Sequence, residues 1–245
     1  MSAYRHQSEG GFFSGASLSN AVRMLIAWNV IFFLLQLLTR HVVDNFLELT
    51  PSRVLHGEIW RLGSYLFLHG GFMHLLFNML ALWMFGSELE YLWGTTRFVK
   101  YYFFTGIGAG VCSLLVNLNS DIATIGASGS VFGLLLAYGM TFPNRPILLY
   151  FILPIPAKYF VALYGLLELF STVFSRGSGV AHYAHLGGLL FGWLFLKGFP
   201  GQGMYRRWKR DRMKRKFKVL EFRDAGKDDW GRPTGGSAKG GDEWR

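Results

Sequence analysis

Charged residues are scarce in this chain, and long stretches of it have almost none. Lys, Arg, Asp and Glu make up 16% of the 245 residues, against about 25% in a typical soluble domain. Residues 62–87 and 177–196 carry no charge, and residues 101–144 carry only Asp121. Uncharged apolar runs of about 20 residues have the length that spans a bilayer. This distribution excludes an ordinary soluble domain and a disordered chain.

Cysteine is nearly absent as well. The single residue of this type, Cys112, lies in an apolar run and has no second cysteine with which to form an intrachain disulfide. A small secreted module held together by disulfides is therefore excluded.

The basic charge of the chain is concentrated in one segment. The net charge is +10, and residues 205–218 alone hold nine of the 25 Lys and Arg residues. The rest of the chain is close to neutral, so the charge belongs to a tail and does not indicate a nucleic-acid-binding domain. Because this tail follows a hydrophobic segment, its predicted partner is the anionic lipid of the cytoplasmic membrane surface. A nucleic-acid or protein partner is the alternative.

The apolar runs predict an all-α membrane protein, a six-helix bundle with an interfacial first loop. We expect an N-terminal cytoplasmic tail (1–20), a membrane domain (21–198) and a basic, then Gly-rich cytoplasmic tail (199–245). The predicted spans are 21–39, 63–85, 98–117, 126–142, 158–174 and 180–197. Residues 146–156 contain three prolines, which interrupt helices, and are interpreted as a partly buried connection.

An even number of spans places both termini on one side, which the basic tail makes cytoplasmic by the positive-inside rule. Arg40, Arg53 and Arg61 in the first loop run against that rule, so the predicted orientation depends mainly on the tail. The compact architecture favours a bacterial inner membrane, with an organelle membrane as the alternative.

Ser128 opens the fourth predicted span, within the sequence Gly126-Ala127-Ser128-Gly129. A serine at a helix N-terminus lies beside backbone N–H groups without helical partners, where the helix dipole favours negative charge. A nucleophile of acyl transfer needs such surroundings for its oxyanion. The alternative is that small residues simply pack a membrane helix, since Gly129 and Gly133 form a small-xxx-small pair.

His74 and Asn78 lie four residues apart in the second predicted span, so they share one helix face. Polar side chains at membrane depth face the protein interior or a wet cavity. The two residues could donate hydrogen bonds to an oxyanion, or they could only hold neighbouring helices together.

His185 lies near the start of the sixth predicted span, followed by Gly188 and Gly192. This glycine spacing lets two helices approach closely. A histidine on such a helix could act as the general base of a serine on its neighbour.

A metal site is the rival interpretation of these histidines. His182 and His185 could bind one ion, with His69 or His74 as a third ligand. No carboxylate or thiol completes an obvious set of ligands, so neither a metal nor a cofactor is predicted.

The topology gives an independent test of one shared site. Spans two, four and six run in the same direction, and His74, Ser128 and His185 all fall in the first half of their spans. They should therefore lie at a similar depth near the outer face. No Asp or Glu is expected beside His185, so a Ser–His dyad is predicted and a triad is not.

In combination these residues resemble the rhomboid family of intramembrane serine proteases, over about residues 20–198. The shared elements are, in chain order, Trp60-Arg61, His74-x-x-x-Asn78, Gly126-x-Ser128-Gly129, and Ala184-His185 followed by Gly188-x-x-x-Gly192. Each element alone is weak, but all four in this order on a six-span chain are specific. The match is to the compact bacterial form, without the basic tail.

The resemblance implies a serine endopeptidase. Ser128 would attack a peptide carbonyl, and His185 would take the serine's proton and later protonate the leaving amine. The backbone N–H of Ser128, together with His74 and Asn78, would hold the oxyanion. The implied substrates are membrane proteins, cleaved in or near a transmembrane segment, with no metal and no nucleic acid involved.

The resemblance also implies supporting roles. Gly126 would line the pocket of the oxyanion, and Phe132 would place an aromatic ring against the base. Gly188 and Gly192 would bring span six against span four. Trp60 and Arg61 would anchor the first loop.

Two other functions remain open at this point. One is a catalytically silent rhomboid-like protein that binds membrane proteins and guides their folding or degradation, although both Ser128 and His185 are present. The other is a transporter or channel, which needs a continuous polar path. Glu168, His69 and His182 have no predicted role.

Overall fold

The computed structural model describes residues 18–39, 42–118, 121–149, 152–174 and 180–198, and this part of the chain is mainly helical. The helices are α1 (Asn20–Thr39), α2 (Val42–Leu47), α3 (Pro51–Leu55), α4 (Arg61–Ser64), α5 (Phe72–Ala81), α6 (Ser87–Trp93), α7 (Thr95–Val116), α8 (Ser128–Thr141), α9 (Ala157–Phe174) and α10 (Val180–Gly198). The strands are β1 (Pro146–Leu149) and β2 (Leu153–Pro156). Nearly all of both predicted tails lies outside the described residues.

Three helical stretches are long and apolar enough to cross a membrane, namely α1, the stretch Phe72–Trp93 and α7. Helix α8 is apolar but shorter. Large apolar side chains point outward, as Leu38 on α1 and Leu166 on α9 do with exposures of 78% and 64%. Outer faces of this kind suit lipid and would be a liability in water. Crossing by α8, α9 and α10, and hence the count of six spans, stays a prediction.

The second long helix begins and ends later than its predicted bounds of 63–85. Residues 61–67 instead form α4 and a 3₁₀ turn, and the helix starts at Phe72. A π-helical turn, Leu82–Gly86, joins α5 to α6, so the helical stretch continues to Trp93, beyond the predicted end at residue 85. Glu90 is tolerated in the helix because its carboxylate accepts hydrogen bonds from Ser19 and from the backbone N–H groups of Ala21 and Val22.

Helices α7, α8 and α10 pack closely through small residues. A Cβ added to Gly188 on α10 would overlap the backbone carbonyl of Gly129 on α8. One added to Gly192 would lie 2.6 Å from the hydroxyl oxygen of Tyr101 on α7. That hydroxyl donates to the carbonyl oxygen of Gly133 at 2.6 Å, which links α7 to α8. These contacts fix α10 against the start of α8.

The first loop, residues 40–61, is held by the almost fully buried Arg61. Its guanidinium donates to the backbone carbonyls of Asn45 and Glu48, both at 2.7 Å, and to the carboxylate of Glu58 at 2.6 Å. The neighbouring Trp60 is half-exposed and donates from its indole N–H to the carbonyl of Phe46 at 3.2 Å. The loop is thus folded around one buried cation whose donors are satisfied.

This loop is paired with the segment that precedes α8. Leu49 and Thr124 form an isolated antiparallel bridge, with N–O distances of 3.1 and 2.9 Å. Two residues later, the N–H of Gly126 donates to the carbonyl of Tyr65 at 2.9 Å. Residues distant in sequence therefore hold the backbone that leads into α8.

The proline-containing connection, residues 146–156, contains two short paired strands, which corrects the all-α expectation in one place. Strands β1 and β2 pair antiparallel, with Pro146 opposite Pro156. Proline lacks an N–H and is confined to strand edges and strand ends. A two-stranded ribbon has a free edge on each strand, so it accommodates these prolines.

Candidate active site

Ser128 and His185 are in direct contact across two helices. Ser128 is the first residue of α8, and His185 lies in the first third of α10. The serine Oγ lies 2.8 Å from Nε2 of the histidine. This is a hydrogen-bond distance at which the hydroxyl can donate to the imidazole, and it is the arrangement that nucleophile activation requires.

Gly126 shapes the turn that presents Ser128. Its φ of +121° lies in a region that L side chains rarely adopt. A Cβ at this position would also lie 2.8 Å from Cε1 and 2.9 Å from Nε2 of His74, and 3.8 Å from the Oγ of Ser128. His74 and Ser128 therefore flank one small space that only a glycine leaves open.

The imidazole of His185 is held on one face by an aromatic ring. Phe132 lies one turn after Ser128 on α8, and its ring stacks on His185 with centroids 4.4 Å apart and an interplanar angle of 14°. The same helix thus carries the serine and the ring that orients its partner. The backbone contact between Gly129 and Gly188 sets this spacing, because no side chain separates the two helices there.

His74 and Asn78 lie on α5, and the structure treats them differently. His74 faces the space beside Gly126, and its Nδ1 accepts a hydrogen bond from the N–H of Gly70 at 3.3 Å. Asn78 is buried, and its side-chain amide donates to the carbonyl of His74 at 2.8 Å, within its own helix. The ring of His74 also packs edge-on against His69, with centroids 5.0 Å apart.

Glu168 lies beside the predicted base, which contradicts the expectation that no carboxylate does so. Its Oε1 is 3.1 Å from Nδ1 of His185, close enough for an ion pair although not aligned as a hydrogen bond. Its Oε2 accepts a hydrogen bond from Nδ1 of His182 at 2.6 Å. Because α9 and α10 are consecutive antiparallel helices, a residue near the end of the first reaches the start of the second. The sequence therefore contained a signal for this contact, because Glu168 and His185 were both predicted to lie near the same ends of neighbouring antiparallel spans.

The same three side chains could hold a metal ion. The ligand atoms of Glu168, His182 and His185 all lie within 4.8 Å of one another. The objection to a metal site from the sequence, that no carboxylate stands near these histidines, is therefore wrong. In the described geometry, however, the carboxylate is already bonded to His182, and Nε2 of His185 is bonded to Ser128.

Tyr65 is a supporting residue without a sequence signal of its own. It is fully buried, and its hydroxyl donates to the carbonyl of Gly106 on α7 at 2.7 Å. Its backbone carbonyl accepts the N–H of Gly126. One residue thus connects the first loop, α7 and the turn before Ser128.

Comparison with known proteins places this chain in a family. The model of the Rhomboid domain matches residues 56–199, more than half of the chain. Mitochondrial rhomboid protein 1 of Saccharomyces cerevisiae is 33% identical over 179 residues, covering 69% of this chain and 48% of the yeast protein. Rhomboid protease GluP of Bacillus subtilis is 32% identical over 163 residues, covering 63% and 29%.

Rhomboid protease AarA of Providencia stuartii is 30% identical over 161 residues, covering 56% of this chain and 55% of that protein. The chain thus spans about half or less of the length of these curated relatives. The resemblance drawn from the four sequence elements is confirmed. The chain is an integral membrane protein that belongs to the rhomboid family of intramembrane proteases.

Proposed function

We propose that this chain is an active serine endopeptidase that cleaves transmembrane segments of membrane proteins. The observation that carries the proposal is the 2.8 Å contact between the Ser128 Oγ and Nε2 of His185. The names of GluP and AarA as rhomboid proteases support the same reaction class.

In the acylation step, the Oγ of Ser128 attacks the carbonyl carbon of the scissile peptide bond. Nε2 of His185 takes the hydroxyl proton as the new C–O bond forms. When the tetrahedral intermediate collapses, the C–N bond breaks and the imidazolium returns the proton to the leaving amine. Water then attacks the acyl-enzyme, His185 takes a proton from it, and Ser128 is released with its hydroxyl restored.

The oxyanion of each tetrahedral intermediate needs donors that are already in place. Ser128 is the first residue of α8, where backbone N–H groups have no partner within the helix. The space beside Gly126, bounded by His74, is the position we assign to the oxyanion. Asn78 would donate a hydrogen bond to the oxyanion if its side-chain amide turned away from the carbonyl of His74.

A transmembrane substrate suits a nucleophile placed on a membrane helix. The carbonyls of such a substrate are shielded by its own intrahelical hydrogen bonds, so it must unwind before attack. Residues of low helix propensity near the cleavage site should therefore speed cleavage. We assign the protein to a bacterial inner membrane with both termini in the cytoplasm, and the basic tail to its lipid surface.

The experiment is labelling of the detergent-purified protein with a fluorophosphonate probe. The wild-type protein should be labelled. Ser128→Ala and His185→Ala should show almost no labelling, because the first variant lacks the nucleophile and the second lacks the base. Cleavage of a transmembrane reporter should fall in parallel.

Ser130→Ala is the matched control. Ser130 lies on the same helix, but its hydroxyl donates to the carbonyl of Tyr102, away from His185. This variant should label like wild type. Labelling that survives Ser128→Ala would mean that another residue is the nucleophile. A folded wild type that neither labels nor cleaves, yet binds membrane proteins, would favour the catalytically silent alternative.

A further inference from the structure

We propose that Glu168 is a positioning residue, which orients the base His185 of the Ser128–His185 dyad in this chain. The inference rests on the proposed function and concerns the same site. It assigns a role to a residue of α9 for which the sequence offered none.

The geometry places the carboxylate on the side of the imidazole opposite the serine. Nε2 of His185 faces the Oγ of Ser128 at 2.8 Å, and Nδ1 faces Oε1 of Glu168 at 3.1 Å. Glu168 is therefore the carboxylate that can attract the Nδ1 proton, since it lies at ion-pair distance although it is not aligned as a hydrogen bond. An imidazole whose proton is kept on Nδ1 presents the free lone pair of Nε2 to the serine.

The carboxylate is itself fixed by a second histidine. Nδ1 of His182 donates to Oε2 of Glu168 at 2.6 Å, so one oxygen is engaged there and the other is aimed at His185. His182 and His185 lie three residues apart on α10 and share one face of that helix. The two carboxylate oxygens of Glu168 thus each face one histidine, and the two histidines lie one helical turn apart.

Burying the charged carboxylate of Glu168 costs free energy unless neighbouring donors compensate its charge or it has a function. Glu168 is only 16% exposed and lies on a helix whose outward residues are apolar. A charged group at membrane depth is expensive and usually marks function. The surroundings of His185 otherwise contain Phe132, which is neutral, and His74, a second imidazole. Among the described residues, Glu168 therefore supplies the carboxylate that can stabilise the imidazolium of His185 as it forms.

A metal ion is the competing use of the same atoms. If Nδ1 of His185 bound a metal, Nε2 would have to carry the ring proton and could no longer accept one from Ser128. The contact between Nε2 and the serine Oγ allows the tautomer that the positioning role requires. The two uses also predict opposite effects of a chelator.

The test compares Glu168→Gln with Glu168→Asp in the full-length enzyme, assayed with a transmembrane reporter in the presence of EDTA. The amide has the shape of the carboxylate but no charge, and its NH₂ group can hold the imidazole in the wrong tautomer. We expect kcat to fall about 10- to 100-fold, with KM within about twofold of wild type. Glu168→Asp keeps the charge and should retain several times more activity than Glu168→Gln.

Glu88→Gln is the matched control. Glu88 also pairs with a cation, Arg145, but at the end of α8 remote from Ser128. This variant should leave kcat unchanged. The rate of fluorophosphonate labelling, which needs no substrate docking, should fall in Glu168→Gln and stay the same in Glu88→Gln.

Each outcome decides between roles. Equal kcat and labelling rates in wild type and a folded Glu168→Gln would overturn the inference, and an inactive wild type would overturn the proposed function itself. If Glu168→Gln fails to fold, Glu168→Asp decides: a reduced kcat at unchanged KM and melting temperature supports positioning, whereas a lower melting temperature at unchanged kcat means that Glu168 is only structural. Loss of wild-type activity in EDTA, restored by Zn²⁺, would assign the cluster to a metal.

Discussion

At the scale of single residues, the site depends on positions where a side chain would be harmful. Gly126 combines a positive φ with a ring edge less than 3 Å from where its Cβ would lie. On the proposed function, the missing side chain leaves room for the developing oxyanion between His74 and Ser128. That function would therefore require the lack of a side chain at residue 126 as well as the serine and the histidine.

Substituting this glycine should separate backbone strain from damage to the site. Gly126→Ala should lower the melting temperature and reduce cleavage at least tenfold, because the methyl group forces His74 aside. Gly57→Ala is the control, since Gly57 also has a positive φ, +102°, but nothing within 4 Å of its added Cβ. Strain of this kind costs on the order of 1–3 kcal/mol. Gly57→Ala should lose stability and keep kcat; an equal loss of kcat in both variants would contradict our interpretation of Gly126.

At the scale of elements, α8 and α10 carry the contact between Ser128 and His185, and the other elements hold these two helices. Tyr101 on α7 donates to the carbonyl of Gly133 on α8, and Tyr65 donates to the carbonyl of Gly106 on α7. The first loop holds the segment before α8 through the bridge of Leu49 and Thr124. Hydrogen bonds to the backbone, made by residues that take no part in the proposed reaction, thus fix the position of Ser128.

The contact between these helices predicts the effect of Gly188→Ala. The added methyl group would overlap the carbonyl of Gly129, and two helix backbones cannot shift locally as a flexible side chain can. We expect a destabilisation of about 3 kcal/mol, at the upper end of the usual range for overpacking, and loss of labelling as His185 moves from Ser128. Melting in detergent measures the first effect and the fluorophosphonate probe the second.

Gly165→Ala serves as the control for that prediction. Gly165 also faces α10, but its Cβ would make only an ordinary contact of 3.5 Å with Leu189. Alanine has the higher helix propensity, so this variant should be as stable as wild type or more so. A similar loss in both variants would mean that α10 tolerates no added volume on any face.

At the scale of the whole molecule, the polar groups of the two ends of the bundle differ. The end that holds Ser128 collects the histidines and Glu168, while the opposite end of α8 carries the Glu88–Arg145 pair. Between them, large apolar side chains such as Leu166 and Phe170 cover the outer face of α9. On the proposed function, the molecule therefore has one reactive end, which the predicted orientation places outside the cytoplasm.

This orientation can be measured with cysteines introduced at exposed positions in a Cys112→Ala background. A membrane-impermeant maleimide should label Asp121→Cys in intact cells, because residue 121 precedes the reactive end of α8. Asn144→Cys follows the other end and should label only after the membrane is permeabilised. Both native residues are exposed, so both cysteines are accessible to the reagent. The reverse pattern would place the termini outside.

How far the sequence predicted the molecule depends on which contacts are local. The positions of α1, α7, α8, α9 and α10 follow from apolar runs, and Ser128 and His185 from motifs in a fixed order. The end of the second helix could not be read in this way, because Glu88 and Glu90 are paired with Arg145 and with the start of α1, both far along the chain. Glu168 was not assigned a role from the sequence, since its contact with His185 requires that α9 and α10 lie side by side.

The separation of 57 residues between Ser128 and His185 has a consequence for biosynthesis. At the usual synthesis rate of 5–20 residues per second, the serine precedes its base by about 3 to 11 seconds. During that interval Ser128 is present together with the helices made before it, but His185 has not yet been synthesised. On the proposed function, the newly made chain is therefore inactive and becomes active only after α10 has packed against the glycines of α8. By then its own helices are folded and are no longer available for cleavage.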